Sequence, residues 1–421
     1  MNLLAQAQHP TQIDSWEVVL MSIVEKISLT TTEYEKITSR YNTLQGILNA
    51  AREPVLQDAY IFVQGSIGLK TTIKPLSNAE GDMANVDADA IVLLPNAQNA
   101  DSAEVLDALK TRFEEGTRTE HPVQELRRGV RVVYADENPG FHIDITPARK
   151  VLGNDKEDGY GNLEVPDRVT GWKNSTPRDY SNWLENLSKL EIKIIRKMAA
   201  GDSVMMESAT QEPLPLYEDY VEHNPLRATI KLLKRHRDKW ASNQDDPLCR
   251  PISAVITTLA AKAYQKVAYE SQNQPLRPIE AILKIIAYMP EFIAETEDGF
   301  AVLNPMDQGE NFAEKWNRPN GEGESYQKAF FAWHSQALES MQIGLYDLEN
   351  QKNFEDRLIE SFGVPRIFIQ DQIKNIPNKS WVLPGRNSKV SLNTISLGAL
   401  AGTSSTAASV HTSTEPVGRL G

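Results

Sequence analysis

Phe62-Val63-Gln64-Gly65-Ser66-Ile67-Gly68-Leu69-Lys70 decides the fold, together with two acidic segments downstream of it. The first is Val86-Asp87-Ala88-Asp89-Ala90-Ile91-Val92-Leu93-Leu94, and the second is Phe141-His142-Ile143-Asp144-Ile145-Thr146-Pro147. Tyr60 to Gln64 read as a strand, and Ser66 opens a short helix. Gly65 lets the backbone turn and approach a ligand closely. The amides after it, with the Ser66 hydroxyl, can then cradle a phosphate at a helix N-terminus. Each acidic segment predicts a short strand, because Ile91 to Leu94 form an apolar run and Ile143 and Ile145 alternate with Asp144. Side chains two apart on a strand face the same way, so Asp87 and Asp89 project together. On a neighbouring strand, Asp144 joins them. Three carboxylates at one point repel unless a cation sits between them. Mg²⁺, which binds through a few carboxylates plus substrate phosphates, is the cation expected.

Taken singly, each element has a plain structural explanation. Asp87 and Asp89 read as solvated strand-edge residues, and Gly65-Ser66 as an ordinary turn. The ordered set resists that explanation, since burying an unpaired Asp144 between two isoleucines is costly. A Gly-Ser turn after a strand, Asp-x-Asp on the next strand and an Asp on a later one form the signature of nucleotidyltransferases.

The 421 residues suggest two or three domains and allow a real core. No apolar run is long enough to span a membrane, and no secretory signal is visible. The single cysteine, Cys249, excludes an internal disulfide and argues against a cysteine-rich metal site. Cytoplasmic residence is the resulting expectation. A net charge of −13 disfavours a protein that coats long nucleic acid, while leaving room for a local basic pocket. There is no Gly-x-x-x-x-Gly-Lys-Ser/Thr loop, so a P-loop ATPase is not supported.

Residues 1–50 read as two helices, the second from about Glu33 to Ala51 and capped by Thr31 or Thr32. Asp101 or Ser102 caps a helix to about Glu115. Gly129 to Tyr134 and the Asp144 segment form a hairpin around Asp136-Glu137-Asn138-Pro139-Gly140. Residues 151–177 read as loop, with Trp172 weighed as a base-stacking or lid residue against a loop anchor, the anchor being favoured. Arg178 to Ala200 predict one long amphipathic helix. Asn224-Pro225 opens the next, to about Trp240, carrying Lys231, Lys234, Arg235, His236, Arg237 and Lys239. A solvated basic face explains that cluster as well as a functional role does. Pro251 begins a helix with Ser253 in its first turn, and further helices follow over 278–289, 323–340 and 353–361. The expected class is α+β: a small mixed sheet with helices over residues 1–155, a helical domain over 156–384, and a flexible tail over 385–421.

These motifs, with Asn304-Pro305 and Glu310-Asn311-Phe312 in the helical half, resemble the bacterial cGAS/DncV-like nucleotidyltransferases (CD-NTases) over about residues 1–380. The resemblance implies a polymerase-β-like core with a helical, OAS-like second lobe. It implies synthesis of cyclic di- or trinucleotides from ATP and other nucleoside triphosphates, GTP among them, as messengers in the CBASS anti-phage system. Asp87, Asp89 and Asp144 would then be catalytic and hold two Mg²⁺ ions, with Mn²⁺ as a substitute. Gln64, Gly65 and Ser66 would bind the donor nucleotide, and Lys231 and Ser253 its phosphates. Ala254 stands where animal relatives carry a stacking tyrosine, so stacking must come from elsewhere. No zinc-binding insertion is visible, and direct DNA sensing is not expected. Some members are joined through a C-terminal carboxylate to targets by an E1/E2-like conjugation enzyme, and Leu420-Gly421 suits that. The alternatives are an RNA 3′-end nucleotidyltransferase of the poly(A) or CCA-adding type, and a catalytically dead nucleotide-binding scaffold.

Overall fold

The computed structural model describes residues 10–77, 84–117, 121–134, 140–194, 224–297, 299–345 and 350–375. The tail over 385–421, with Gly421, lies outside them, as do most of the 136–140 turn and residues 195–223.

The class is α+β. Seven strands form one sheet: β1 (Tyr60–Gln64), β2 (Val86–Leu93), β3 (Gln124–Glu125), β4 (Val130–Tyr134), β5 (Phe141–Lys150), β6 (Leu163–Asp167) and β7 (Gly171–Ser175). Its main path runs β1-β2-β5-β4-β3, and β6 pairs with the far end of β5 and then with β7. Among the described strands of this sheet only the central β2–β5 pair is parallel, which sets Asp89 beside Asp144 in register. The anticipated β4–β5 hairpin is present, pairing Arg131 with Asp144.

Alternation along these strands sorts residues onto two faces. Val86, Ala88, Ala90 and Val92 of β2, with Phe141, Ile143 and Ile145 of β5, pack in one apolar core beneath α2 (Thr31–Asn49) and α4 (Ser102–Gly116). The other face divides along its length. Phe62, Ile91, Leu93 and Ala148 close one end with Leu163 and Val165. Asp87, Asp89, His142 and Asp144 hold the same face at the other end, following the alternation.

A third and larger core belongs to the helical lobe. It contains α5 (Pro177–Ser188), α6 (Pro225–Ala241), α7 (Ser253–Ser271), α8 (Pro278–Tyr288), α9 (Glu322–Ser340) and α10 (Gln351–Phe362). It also takes in α1 (Pro10–Ile27), through Trp16, Leu20, Ile23 and Ile27. The chain therefore begins its described course in the helical lobe, enters the sheet lobe after Ile27 and returns near Tyr180.

Several local expectations change. Thr30, not Thr31 or Thr32, caps α2, its hydroxyl taking the Glu33 amide while the Glu33 carboxylate takes the Thr30 amide. The 151–177 region is not all loop, because β6 and β7 form a hairpin. Asp167 ends β6 by accepting the amides of Val169 and Thr170, and Gly171 starts β7 at a φ of +78°. Helix α5 stops at Ser188 rather than continuing toward Ala200. The chain there is drawn to α7 and the segment before α8: the Lys193 amide donates to Ser271 Oγ, and Leu276 donates to the Lys193 carbonyl.

Candidate active site

The acidic face borders a cavity of about 490 Å³ roofed by the helical lobe. Gln64, Gly65, Ser66, Asp87 and Asp89 line it from the sheet side, and Lys234, Arg237 and Ser253 from the helices.

Gly65 opens a single helical turn, α3 (Gly65–Gly68), at a φ of +61°. A Cβ there would lie 1.8 Å from Asp89 Oδ2, so glycine is what lets the two approach. The Ser66 amide hydrogen-bonds the Asp89 carboxylate. Ser66 Oγ donates to the Asp87 carbonyl at 3.2 Å and lies 2.9 Å from Thr72 Oγ1, which donates to it. The expected phosphate cradle thus holds a carboxylate.

The three aspartates have different surroundings. His142 Nε2 lies 3.0 Å from Asp87 Oδ1. Burial would raise the Asp87 carboxyl, but the His142 hydrogen bond and charge, helped by Lys234 and Arg131, hold it below its ordinary value. Its side chain remains 64% exposed within the open cleft, so water screens these charges. Asp89 is pushed well above the carboxylate range, by burial first and then by Asp87 and Asp144. Asp144 is gripped by Arg131, whose Nε and Nη2 donate to Oδ1 and Oδ2 at 2.6 and 2.9 Å. Asp87, His142 and Asp144 each offer one ligand atom, all within 4.8 Å of one another. The Asp89 carboxyl is turned instead toward Gly65.

Of the basic residues on α6, Lys231 is not brought to the cavity. It is buried, and its Nζ donates to Ser28 Oγ at 3.0 Å. Lys234, three residues on, lines the cavity and donates to the Thr71 carbonyl. Burial, then the charge of Arg237, pushes Lys234 down to about 8 against the pull of Asp238, Asp87 and Asp89. Burial likewise takes Lys231 to about 8. The basic face of α6 is therefore buried rather than solvated, since Lys234 and Arg235 reach the carbonyls of Thr71 and Lys74. Ser253, the first residue of α7, accepts from Arg237 Nη1 at 3.1 Å. Trp172 anchors the β7 strand: its Nε1 donates to the Ala100 carbonyl, and Arg149 stacks 3.9 Å from its ring centre. The aromatic side chains at the cavity are Tyr180 and Phe312.

His142 and Arg131 were given no role from the sequence, and Lys234 was read only as one of the basic residues of its helix. His142 lies two residues before Asp144, on the same face. Arg131 follows from the hairpin register once the turn is placed at 136–140. Lys234 is one helical turn beyond Lys231.

A nucleotide-sized cleft between an acidic sheet face and a basic helix, behind a Gly-Ser turn, defines a nucleotidyltransferase fold. Residues 17–187 match the family described as the Second Messenger Oligonucleotide or Dinucleotide Synthetase domain. A c-di-GMP synthase from Roseivirga ehrenbergii is 23% identical over 318 residues, covering 75% of this chain and 76% of that protein. The cyclic dinucleotide synthase CdnG from Bradyrhizobium diazoefficiens is 20% identical over 82% of both chains. The solved structure of the B. diazoefficiens CD-NTase CdnG in complex with GTP superposes with a TM-score of 0.59 at 16% identity, over 85% of this chain and 98% of that one. Over residues 17–187 the chain is thus similar to that synthetase domain, and along most of its length to these cyclic dinucleotide synthases. Among the described residues no helix is long and apolar enough to cross a membrane.

Proposed function

We propose that this protein is a cyclic oligonucleotide synthase, joining ATP and other nucleoside triphosphates, GTP among them, into a cyclic dinucleotide messenger for anti-phage defence. The observation that carries this reading is the meeting of Asp87, Asp89 and Asp144 on one sheet face, beside the Gly65-Ser66 turn and beneath Lys234 and Arg237. Two curated relatives named as cyclic dinucleotide synthases support it.

The donor set fits a divalent cation. Three carboxylates crowd one face, and burial, then the charges of Asp87 and Asp144, push the Asp89 carboxyl up. Oxygen donors suit Mg²⁺, and the His142 imidazole also admits Mn²⁺. Asp87, Asp89 and Asp144 would hold two such ions, which when bound stabilise the attacking and leaving oxygens of an in-line displacement. The rest falls to the chain itself. His142 orients Asp87, and Arg131 fixes the plane of Asp144. The Ser66 amide now bonded to Asp89 would be left for a donor phosphate if that carboxylate were engaged by a cation. Lys234 and Arg237 then offset the triphosphate charge. A ribose hydroxyl forms a new bond to the α-phosphorus while its proton passes to Asp144. The bond from that phosphorus to the β-phosphate oxygen breaks, and pyrophosphate leaves. A second such step closes the ring.

The test is mass spectrometry of products from all four ribonucleoside triphosphates with Mg²⁺ or Mn²⁺, with and without RNA. Cyclic product and pyrophosphate are expected from the wild type. None is expected from Asp87→Asn with Asp89→Asn, at unchanged circular dichroism. Wild-type turnover by the double variant would overturn the site. RNA elongation in place of cyclic product would favour an RNA 3′-end enzyme.

A further inference from the structure

A second cavity, also about 490 Å³, adjoins the first, and Gln64, Ser175, Glu310 and Phe312 line both. Two of these wall residues come from a small hairpin of the helical lobe, β8 (Leu303–Asn304) and β9 (Asp307–Asn311) with the residue after it. Glu310 is half-buried there, and Asn304 holds it: Asn304 Nδ2 donates to Glu310 Oε2 at 2.7 Å and sits 3.3 Å from Thr176 Oγ1. Asn304 Oδ1 is itself occupied by the Met306 amide at 2.9 Å. The Asn304 amide is thereby fixed, and Glu310 is fixed with it. No described residue forms an ion pair with Glu310, so a carboxylate lies at the cavity wall with acceptor capacity to spare. Phe312 meets the edge of Tyr180 at 5.6 Å between ring centres and keeps surface in both cavities.

We infer that Glu310 selects guanine, accepting from the N1–H and 2-amino group of a bound GTP, while Phe312 supplies the stacking surface that Ala254 does not. Guanine presents two adjacent donors on its pairing edge, and an ionised carboxylate presents two acceptors. Adenine places its N1 acceptor against the same carboxylate, leaving a like pair of lone pairs facing each other in a partly dry site. The inference deepens the synthase reading and rests on it for the identity of the ligand class. A glutamine at this position keeps the shape but offers one acceptor and one donor, the pattern that matches the N6 amino group and N1 of adenine.

Calorimetric titration of GTP and ATP into the full chain, with Ca²⁺ replacing Mg²⁺ to prevent turnover, tests this. The wild type is expected to bind GTP about 10- to 100-fold more tightly than ATP, the discrimination a bidentate base contact supplies. Glu310→Gln should abolish or invert that ratio. Phe312→Ala should weaken both nucleotides while leaving the ratio alone. A wild type indifferent to the base, or a Glu310→Gln variant with the wild-type ratio, overturns the proposal. Product analysis runs separately. Selective GTP binding without cyclic product would remove the synthase reading and leave the base contact standing. Cyclic product with an unmoved ratio would do the reverse.

Discussion

At Gly65 a side chain has no place to go. The backbone is left-handed, and the space a Cβ would take is held by a carboxylate oxygen of Asp89. Gly65→Ala is therefore expected to cost about 1–2 kcal/mol of stability from the left-handed backbone. Because Asp89 must move, synthesis should fall by about 100-fold, the penalty of roughly an ångström of misplacement. A urea midpoint and a product assay on one preparation check both. Wild-type turnover would show that the close approach is dispensable. At this scale the sequence was most readable, since Gly-Ser, Asp-x-Asp and the later Asp declare themselves by type and spacing. Their partners did not. Arg131 and His142 read as ordinary strand residues until pairing register places them against Asp144 and Asp87.

Helix α6 shows why elements were harder to read than residues. Its run of cations has the composition of a wet surface, yet Lys231, Lys234, Arg235 and Arg237 are buried. They bind carbonyl and hydroxyl oxygens on Ser28, Thr71, Lys74 and Pro251, contributed by segments far away in sequence or in another element. Composition carries no trace of such acceptors. The same applies to α5, whose amphipathic pattern continues past the point where Ser271 and Leu276 capture the chain. The Asp167 turn that makes β6 and β7 a hairpin was equally hidden in a Gly- and Pro-rich stretch. Two lysines on α6 give a discriminating pair. Lys234→Met should raise KM for the triphosphate about 10- to 100-fold, the loss of one charged hydrogen bond. Lys231→Met should leave KM unchanged and act on stability alone. The free-enzyme Lys234 is depressed to about 8, so it is charged below that pH and neutral above it. Wild-type KM should accordingly climb as pH passes 8, and Lys234→Met should lack that climb. Equal KM effects from both lysines would reverse the assignment.

Among the described residues a sheet lobe and a helical lobe are joined after Ile27 and before Tyr180, with the cleft between them. Sequence order suggested that the amino-terminal helices serve the sheet. Helix α2 does, but α1 belongs to the other lobe, because an apolar stripe announces that a face is buried without naming what buries it. Trp16, 1% exposed, donates from Nε1 to the Met341 carbonyl at 2.9 Å and fills the space beside Gly344. Trp16→Ala should cost about 3–5 kcal/mol, the price of a large cavity in a packed core. The urea midpoint reads it, and a loss under 1 kcal/mol would mean that α1 is not integral to the lobe.

That seating has a consequence for biosynthesis. Trp16 and its acceptor are 325 residues apart, so α1 leaves the ribosome long before its binding groove exists. During translation its greasy side stays bare while the catalytic sheet is already assembling. A chain that stops short of Met341 is therefore expected to leave Trp16 without its acceptor and the apolar side of α1 without part of its groove.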